Sequence, residues 1–253
     1  MRYRGQASSS ASRVSAWPRA LADPGSGDPP SPSPKSPISP GTYKPEGASS
    51  REAIGLEEER LKIMGLCGVL VPIVAFSCIG VAIALSPWFT WRKNALSDLG
   101  AFSSSVWPIF NTGLIVSGAL AMVFSYGLFM RLEERLGKTG ALITFFGSLS
   151  LALIGAFPED FGFVHFAVSA GFFFLAPIGI LVIGASRLMS VRGALKALWA
   201  LLLVLSVASL AVWAFWALLR PGLGISVPEA IAAALIATPV VVVGLRVARS
   251  API

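Results

Sequence analysis

The sequence is poor in the residues from which disulfide-rich and catalytic metal sites are built. Its 253 residues include two cysteines, one histidine and only 13% charged residues. Cys67 and Cys78 stand eleven positions apart in one apolar run, so a helix would separate them by ~16 Å, too far for a disulfide bond. A disulfide framework is therefore excluded.

Motifs with a known chemistry are absent as well. The chain has no H-E-x-x-H pattern, no paired-cysteine zinc motif, no Walker loop and no G-x-S-x-G elbow. The sequence therefore identifies no named reaction, no cofactor and no metal-ligand set.

Long apolar runs are what the chain has in abundance. Hydrophobic residues make up 55% of it, and the mean hydropathy is +0.74. Runs of this length can cross a hydrocarbon core of ~30 Å, and only helices satisfy their own backbone there. We predict an all-α, polytopic membrane protein with six transmembrane helices at residues 63–85, 106–130, 140–157, 163–183, 198–219 and 227–247.

The net charge of +7 follows membrane topology and does not form a nucleic-acid-binding patch. Eleven Lys and Arg residues flank the spans on one side, against Arg92, Lys93 and Arg220 on the other. The positive-inside rule then places both termini in the cytoplasm of a multi-pass plasma-membrane protein, with no nucleic-acid partner.

Three regions of different composition divide the chain. Residues 1–50 hold nine of the eighteen prolines and twelve serines, which predicts a disordered tail. Residues 51–62 are a charged juxtamembrane segment, and residues 63–249 form the six-span transmembrane domain.

The first predicted outer loop contains the polar stretch WRKNALSDLGA, residues 91–101. Ser86 and Pro87 suit the start of a helix, and Trp88, Trp91 and later apolar residues recur at helical spacing. We expect a short interfacial helix between spans one and two, with Asn94 and Asp98 on one side of it. Asn94, Ser97 and Asp98 either cap and pin this helix or belong to a functional site.

The other two outer loops carry most of the remaining unusual polar residues, and together the three loops predict one extracytoplasmic polar site. The candidate binding residues are Asn94, Ser97, Asp98, Asn111, Asp160, His165 and Glu229. Carboxylates near span ends must face water or a partner, which favours a site that binds membrane lipids by their headgroups, or other amphiphiles.

Two other functions fit the same residues. Asp98, Asp160 and His165 could supply the acid, base or metal ligands of a membrane hydrolase or lipid-modifying enzyme. A small-molecule transporter is the third candidate, although few ionisable groups fall within the spans. Whether the protein is an enzyme stays open at this point.

Small residues at Gly113, Ser117 and Ala121 repeat at every fourth position of span two. Such a stripe lets another helix approach closely. The approaching helix belongs either to the same bundle or to a second copy of the chain in a homo-oligomer.

The sequence resembles the prokaryotic membrane family called domain of unknown function 998. The resemblance rests on SPWFTWRKNALSDLGA followed by IFNTGLIVSG, on FPED with His165 downstream, and on VPEA at the start of the last span. It covers about residues 66–247 and implies a six-span bundle with the first motif outside span one, without an established activity. The long proline-rich tail departs from the family pattern.

Overall fold

The computed structural model describes residues 46–219, 222 and 224–253, with side chains from residue 53 onward. Helices account for most of this part, and it contains no β-strand. The α-helices are α1 Glu46–Ala84, α2 Trp107–Arg131, α3 Arg135–Ala156, α4 Phe163–Ser190, α5 Gly193–Leu219 and α6 Ser226–Ala248. Each contains a stretch long and apolar enough to cross a membrane, which confirms the predicted six-span, all-α class.

Several helices are longer than the predicted spans. The α3 helix begins at Arg135 instead of residue 140, and α5 begins at Gly193 instead of residue 198. The charged residues in these added turns interrupt the apolar runs, so the sequence analysis placed the starts of the spans after them. They do not interrupt the helices, because long cationic side chains can extend to the polar boundary of the membrane. Most of the predicted tail lies outside the described residues, while residues 46–50 belong to α1.

The six helices form a closed ring in chain order. Each helix packs against its neighbours in the sequence, and α1 packs against α6. Glycines permit the closest approaches: a Cβ atom added to Gly65 of α1 would lie 2.7 Å from the carbonyl oxygen of Gly244 in α6. The small-residue stripe of α2 is buried within the chain, and Gly113 faces Cys78 of α1.

Short connections alternate the helix directions, so the two ends of the ring carry different loops. We call the end that carries the α1–α2, α3–α4 and α5–α6 loops the odd-loop face. At the opposite end, Arg187 of α4 donates a 2.8 Å hydrogen bond to Glu134, between α2 and α3. A backbone hydrogen bond and the charge of Arg187 hold the pKa of Glu134 below its usual value.

The α1–α2 loop differs in detail from the predicted interfacial helix. Its helical part is one 3-10 helix, Ser97–Gly100, and the residues before it form turns. Leu96 and Leu99 are buried, so this part of the loop packs against the end of the ring. The apolar periodicity named Leu99, which is buried, but Trp88, Trp91 and Phe102 at the same spacing are exposed, and the segment is not a continuous helix.

Candidate functional site

The three loops of the odd-loop face are joined by hydrogen bonds. The backbone N–H of Leu96 donates to Glu229 Oε2 over 2.7 Å, and the N–H of Ser226 donates to the carbonyl oxygen of Asn94 over 3.2 Å. The N–H of Phe102 donates to Asp160 Oδ2 over 2.8 Å. The α1–α2 loop is therefore fixed to both α6 and the α3–α4 loop.

Three of the predicted site residues shape the α1–α2 loop. Asn94 Oδ1 accepts from the Thr90 N–H over 2.9 Å, and Asn94 Nδ2 donates to Asp98 Oδ2 over 2.7 Å. The buried Asn111 donates to the carbonyl oxygen of Gly100 over 2.9 Å. Asn94 and Asn111 thus bind backbone groups of an irregular segment that has few regular backbone hydrogen bonds of its own.

Asp160 and His165 have separate surroundings. Asp160 is exposed and accepts the Phe102 hydrogen bond described above. His165 is buried; its Nδ1 lies 2.8 Å from the carbonyl oxygen of Phe157, and its Nε2 lies 3.4 Å from Ser169 Oγ. A hydrogen bond to a carbonyl requires a proton on Nδ1, so the neutral ring would present Nε2 as an acceptor to Ser169.

Two adjoining cavities open beneath the loops. The mouth cavity, about 420 Å³, is lined by residues of the α1–α2 and α3–α4 loops and of α4, α5 and α6. The inner cavity, about 110 Å³, continues into the ring and is lined mainly by apolar residues of α1, α2, α3, α4 and α6. Both cavities share the lining residues Ser97, His165, Ser169, Phe173 and Glu229.

A third cavity lies beside the mouth cavity. This surface cavity, about 430 Å³, is lined by Trp88, Asp98, Ala101, Ser103, Ser104 and Glu159. Glu159 also lines the mouth cavity, so its side chain stands between the two spaces. Of the predicted site residues, Ser97, His165 and Glu229 line the mouth cavity, and Asp98 lines the surface cavity.

Glu159 is a site residue that the sequence analysis did not select. Partial desolvation raises the pKa of its carboxyl group to about 7, and the neighbouring Asp98 adds to this rise. Ser97 lowers the pKa and Asp160 raises it further. The FPED sequence pointed to this loop, but only the 3-10 turn Glu159–Phe161 determines which of two adjacent carboxylates faces the cavities.

Aromatic residues form much of the mouth cavity wall, and sequence reasoning did not assign them to the site. The rings of Phe173 in α4 and Trp213 in α5 pack with centroids 4.8 Å apart. Phe166 and Phe174 also line this cavity and are exposed on the side of the ring. Only the packing of α4 against α5 brings these residues together, since they are distant in the sequence.

The described residues do not bring together three His, Cys, Asp or Glu side chains as a metal site. The carboxylates of Asp98 and Asp160 bind backbone N–H groups, and His165 binds a backbone carbonyl. Asp98, Asp160 and His165, the candidate acid, base or metal ligands, therefore each bind a different backbone group.

The fold and the cavities indicate a multi-pass, all-helical membrane protein whose mouth cavity carries a few polar groups above an apolar inner cavity. The family model described as "Protein of unknown function (DUF998)" matches residues 69–246, and the chain belongs to this family. The resemblance inferred from the loop motifs is thereby confirmed. No curated protein and no solved structure matches the chain.

Proposed function

We propose that this protein binds a membrane amphiphile, with the polar head in the mouth cavity and the apolar tail in the inner cavity. The observation that carries the proposal is that the two cavities adjoin and share five lining residues. A ligand reaching from one cavity into the other would need a polar end and an apolar end. Ligand sites commonly combine an apolar wall with a few converging polar groups.

The inner cavity has the extent that a tail requires. Its lining runs from His165 to Ile180 along α4 and from Glu229 to Val240 along α6. At about 1.5 Å per residue these stretches are roughly 23 Å and roughly 17 Å long. These walls are long enough to lie alongside an extended alkyl chain, and the cavity of about 110 Å³ between them would hold part of that chain.

The head, more than the tail, would decide which amphiphile binds. A tail that moves from the bilayer into an apolar cavity exchanges one apolar environment for another and gains little. Selectivity then depends on the polar groups at the mouth. The exposed Phe166 and Phe174 beside this cavity would allow a ligand to enter from the surrounding lipid.

The same proposal includes an orientation. The distribution of Lys and Arg supports a plasma-membrane protein with cytoplasmic termini, so the odd-loop face would be extracytoplasmic. The amphiphile would then come from the outer leaflet.

The geometry favours binding over the two alternatives. A hydrolase using Asp98, Asp160 and His165 would need these groups to converge on a substrate, and each instead has its own backbone partner. A coupled transporter would place ionisable groups along its pathway, but below Glu229 and His165 the described lining of the inner cavity is uncharged.

Filling the inner cavity tests the proposal. Ala237 lines this cavity, whereas Ala234 is exposed on the outer surface of the same helix. We expect Ala237→Phe to lower saturable binding by about tenfold or more, equivalent to about 1.4 kcal/mol, and Ala234→Phe to leave it unchanged. The probe is a dodecyl chain with a hydroxyl head and a diazirine near its end, photocrosslinked to the full chain in phosphatidylcholine nanodiscs.

Peptide mapping provides the readout. Saturable labelling of the inner-cavity segments of α4 and α6 would support the proposal. Labelling that is not saturable, or that is the same in Ala237→Phe and wild type, would refute it.

A further inference from the structure

The mouth cavity combines two carboxylates with an aromatic wall. Glu159 and Glu229 contribute the acidic groups, and Phe166, Phe173, Phe174 and Trp213 contribute the rings. Carboxylates neutralise a bound cation, and the faces of aromatic rings attract ammonium groups within about 6 Å. These are the two components with which proteins recognise organic cations.

The described lining residues of this cavity include no Lys and no Arg. Arg92 and Lys93 are exposed on the α1–α2 loop and do not line the cavity, and Arg220 lies outside the described residues. Asp98, beside Glu159, adds further negative charge. A phosphate or sulfate head would therefore meet like charge, whereas a cationic head would meet its counter-ions.

Glu229 occupies the boundary between the head and tail spaces. It lines both cavities, and the Leu96 N–H, its one hydrogen-bond donor among the described residues, holds Oε2. This bond fixes the position of the Glu229 carboxyl group.

We infer that the mouth cavity selects amphiphiles with a cationic, alkylammonium head, which Glu229 and Glu159 bind as counter-ions against the Phe173 and Trp213 rings. The inference rests on the amphiphile-binding function proposed above and names the class of its ligand. The ammonium would lie where the two cavities meet, and its alkyl chain would extend into the inner cavity.

The ionisation of Glu159 gives the inference a testable pH dependence. Because the pKa of this group is raised to about 7, a rise in pH from 6 to 8 converts it from mostly neutral to mostly charged. Asp98 and Asp160 face it, and Glu229 and His165 line the same cavity. A permanently charged ligand should accordingly bind more tightly at pH 8 than at pH 6.

The experiment compares three dodecyl probes that carry the same diazirine but a trimethylammonium, a hydroxyl or a sulfate head. Wild-type protein in phosphatidylcholine nanodiscs should bind the trimethylammonium probe about tenfold more tightly than the hydroxyl probe, and the sulfate probe least tightly. Glu229→Gln should remove most of this preference while it retains labelling by the hydroxyl probe. Glu133→Gln is the matched control, since Glu133 is an exposed carboxylate at the opposite end.

The outcomes separate the two proposals. Equal affinities for the three heads, or a preference for sulfate, would overturn the cationic selectivity even if hydroxyl-probe labelling depended on Ala237. If no probe gave labelling that decreases in Ala237→Phe, both proposals would be overturned. If Glu229→Gln did not fold, the order of the three heads in wild type at pH 6 and pH 8 would decide the inference by itself.

Discussion

Polar side chains of the odd-loop face serve two different purposes at the scale of single residues. Asn94 and Asn111 satisfy backbone groups of the α1–α2 loop, and their hydrogen bonds are short and local to it. Glu229 both holds the Leu96 N–H and lines the cavities, so it joins the structural and the binding parts of the site. Glu159 has a pKa raised to about 7, so its charge changes near neutral pH.

Replacing Glu159 should change how stability depends on pH. Its folded-state pKa of about 7 lies above the ordinary value of 4.5, so folding favours the protonated form. The carboxyl group therefore destabilises the protein increasingly as pH rises from about 4.5 to about 7, and fully above that range. We expect wild type to lose more thermal stability than Glu159→Gln between pH 5 and pH 8, because Gln stays neutral.

Unfolding midpoints in the same nanodiscs at pH 5 and pH 8 measure this difference. Glu133→Gln, at the opposite end, should follow wild type. Identical pH profiles for wild type and Glu159→Gln would show that desolvation and Asp98 do not raise the pKa of Glu159.

The α1–α2 loop and the α1–α6 contact show how neighbouring elements determine the conformation and packing of a segment. Apolar spacing in residues 86–102 predicted one short helix, but Glu229 and Asn94 instead form hydrogen bonds between this loop and α6. These bonds draw the loop into the end of the ring and restrict regular structure to one 3-10 turn. The ring itself closes through glycines of α1 and α6.

A methyl group at the α1–α6 contact should weaken the ring. The Cβ atom of Gly65→Ala would lie 2.7 Å from the carbonyl oxygen of Gly244, and two helix backbones would have to separate. We expect a loss of ~1–3 kcal/mol, seen as a lower unfolding midpoint. Gly80→Ala in the same helix should be neutral or slightly stabilising, since nothing lies within 4 Å of its added Cβ and Ala favours helix.

Equal midpoints for Gly65→Ala and Gly80→Ala would contradict the close packing of α1 and α6. Amphiphile labelling of Gly65→Ala provides a second measurement, because α1 and α6 both line the inner cavity.

For the whole molecule, the distribution of Lys and Arg predicts which end of the ring faces the cytoplasm. Ser103 is exposed on the odd-loop face, and Arg192 is exposed between α4 and α5 at the opposite end. In a Cys67→Ala, Cys78→Ala background, a membrane-impermeant maleimide added to intact cells should label Ser103→Cys. It should label Arg192→Cys only after permeabilisation, because the positive-inside rule places that loop in the cytoplasm.

Labelling of Arg192→Cys in intact cells, with Ser103→Cys protected, would reverse the orientation and place the mouth cavity on the cytoplasmic side. The amphiphile would then have to come from the inner leaflet. Labelling of both positions in intact cells would contradict their location at opposite ends of the ring.

The amino-acid sequence by itself determined the number of spans, the helical class and the family. Each of these follows from local properties: the length of an apolar run set against membrane thickness, and the short motifs of the loops. It also located the polar residues on one set of loops, including Ser97, His165 and Glu229.

Only the tertiary structure decided what those residues face. Glu159 and Asp160 are adjacent in the sequence, but a 3-10 turn directs one toward the cavities and leaves the other at the Phe102 N–H. Trp213 and Phe173 become one wall because α5 packs on α4. A cavity is made by distant residues that leave space between them, so spacing along one chain cannot specify it, and the ring of six helices does.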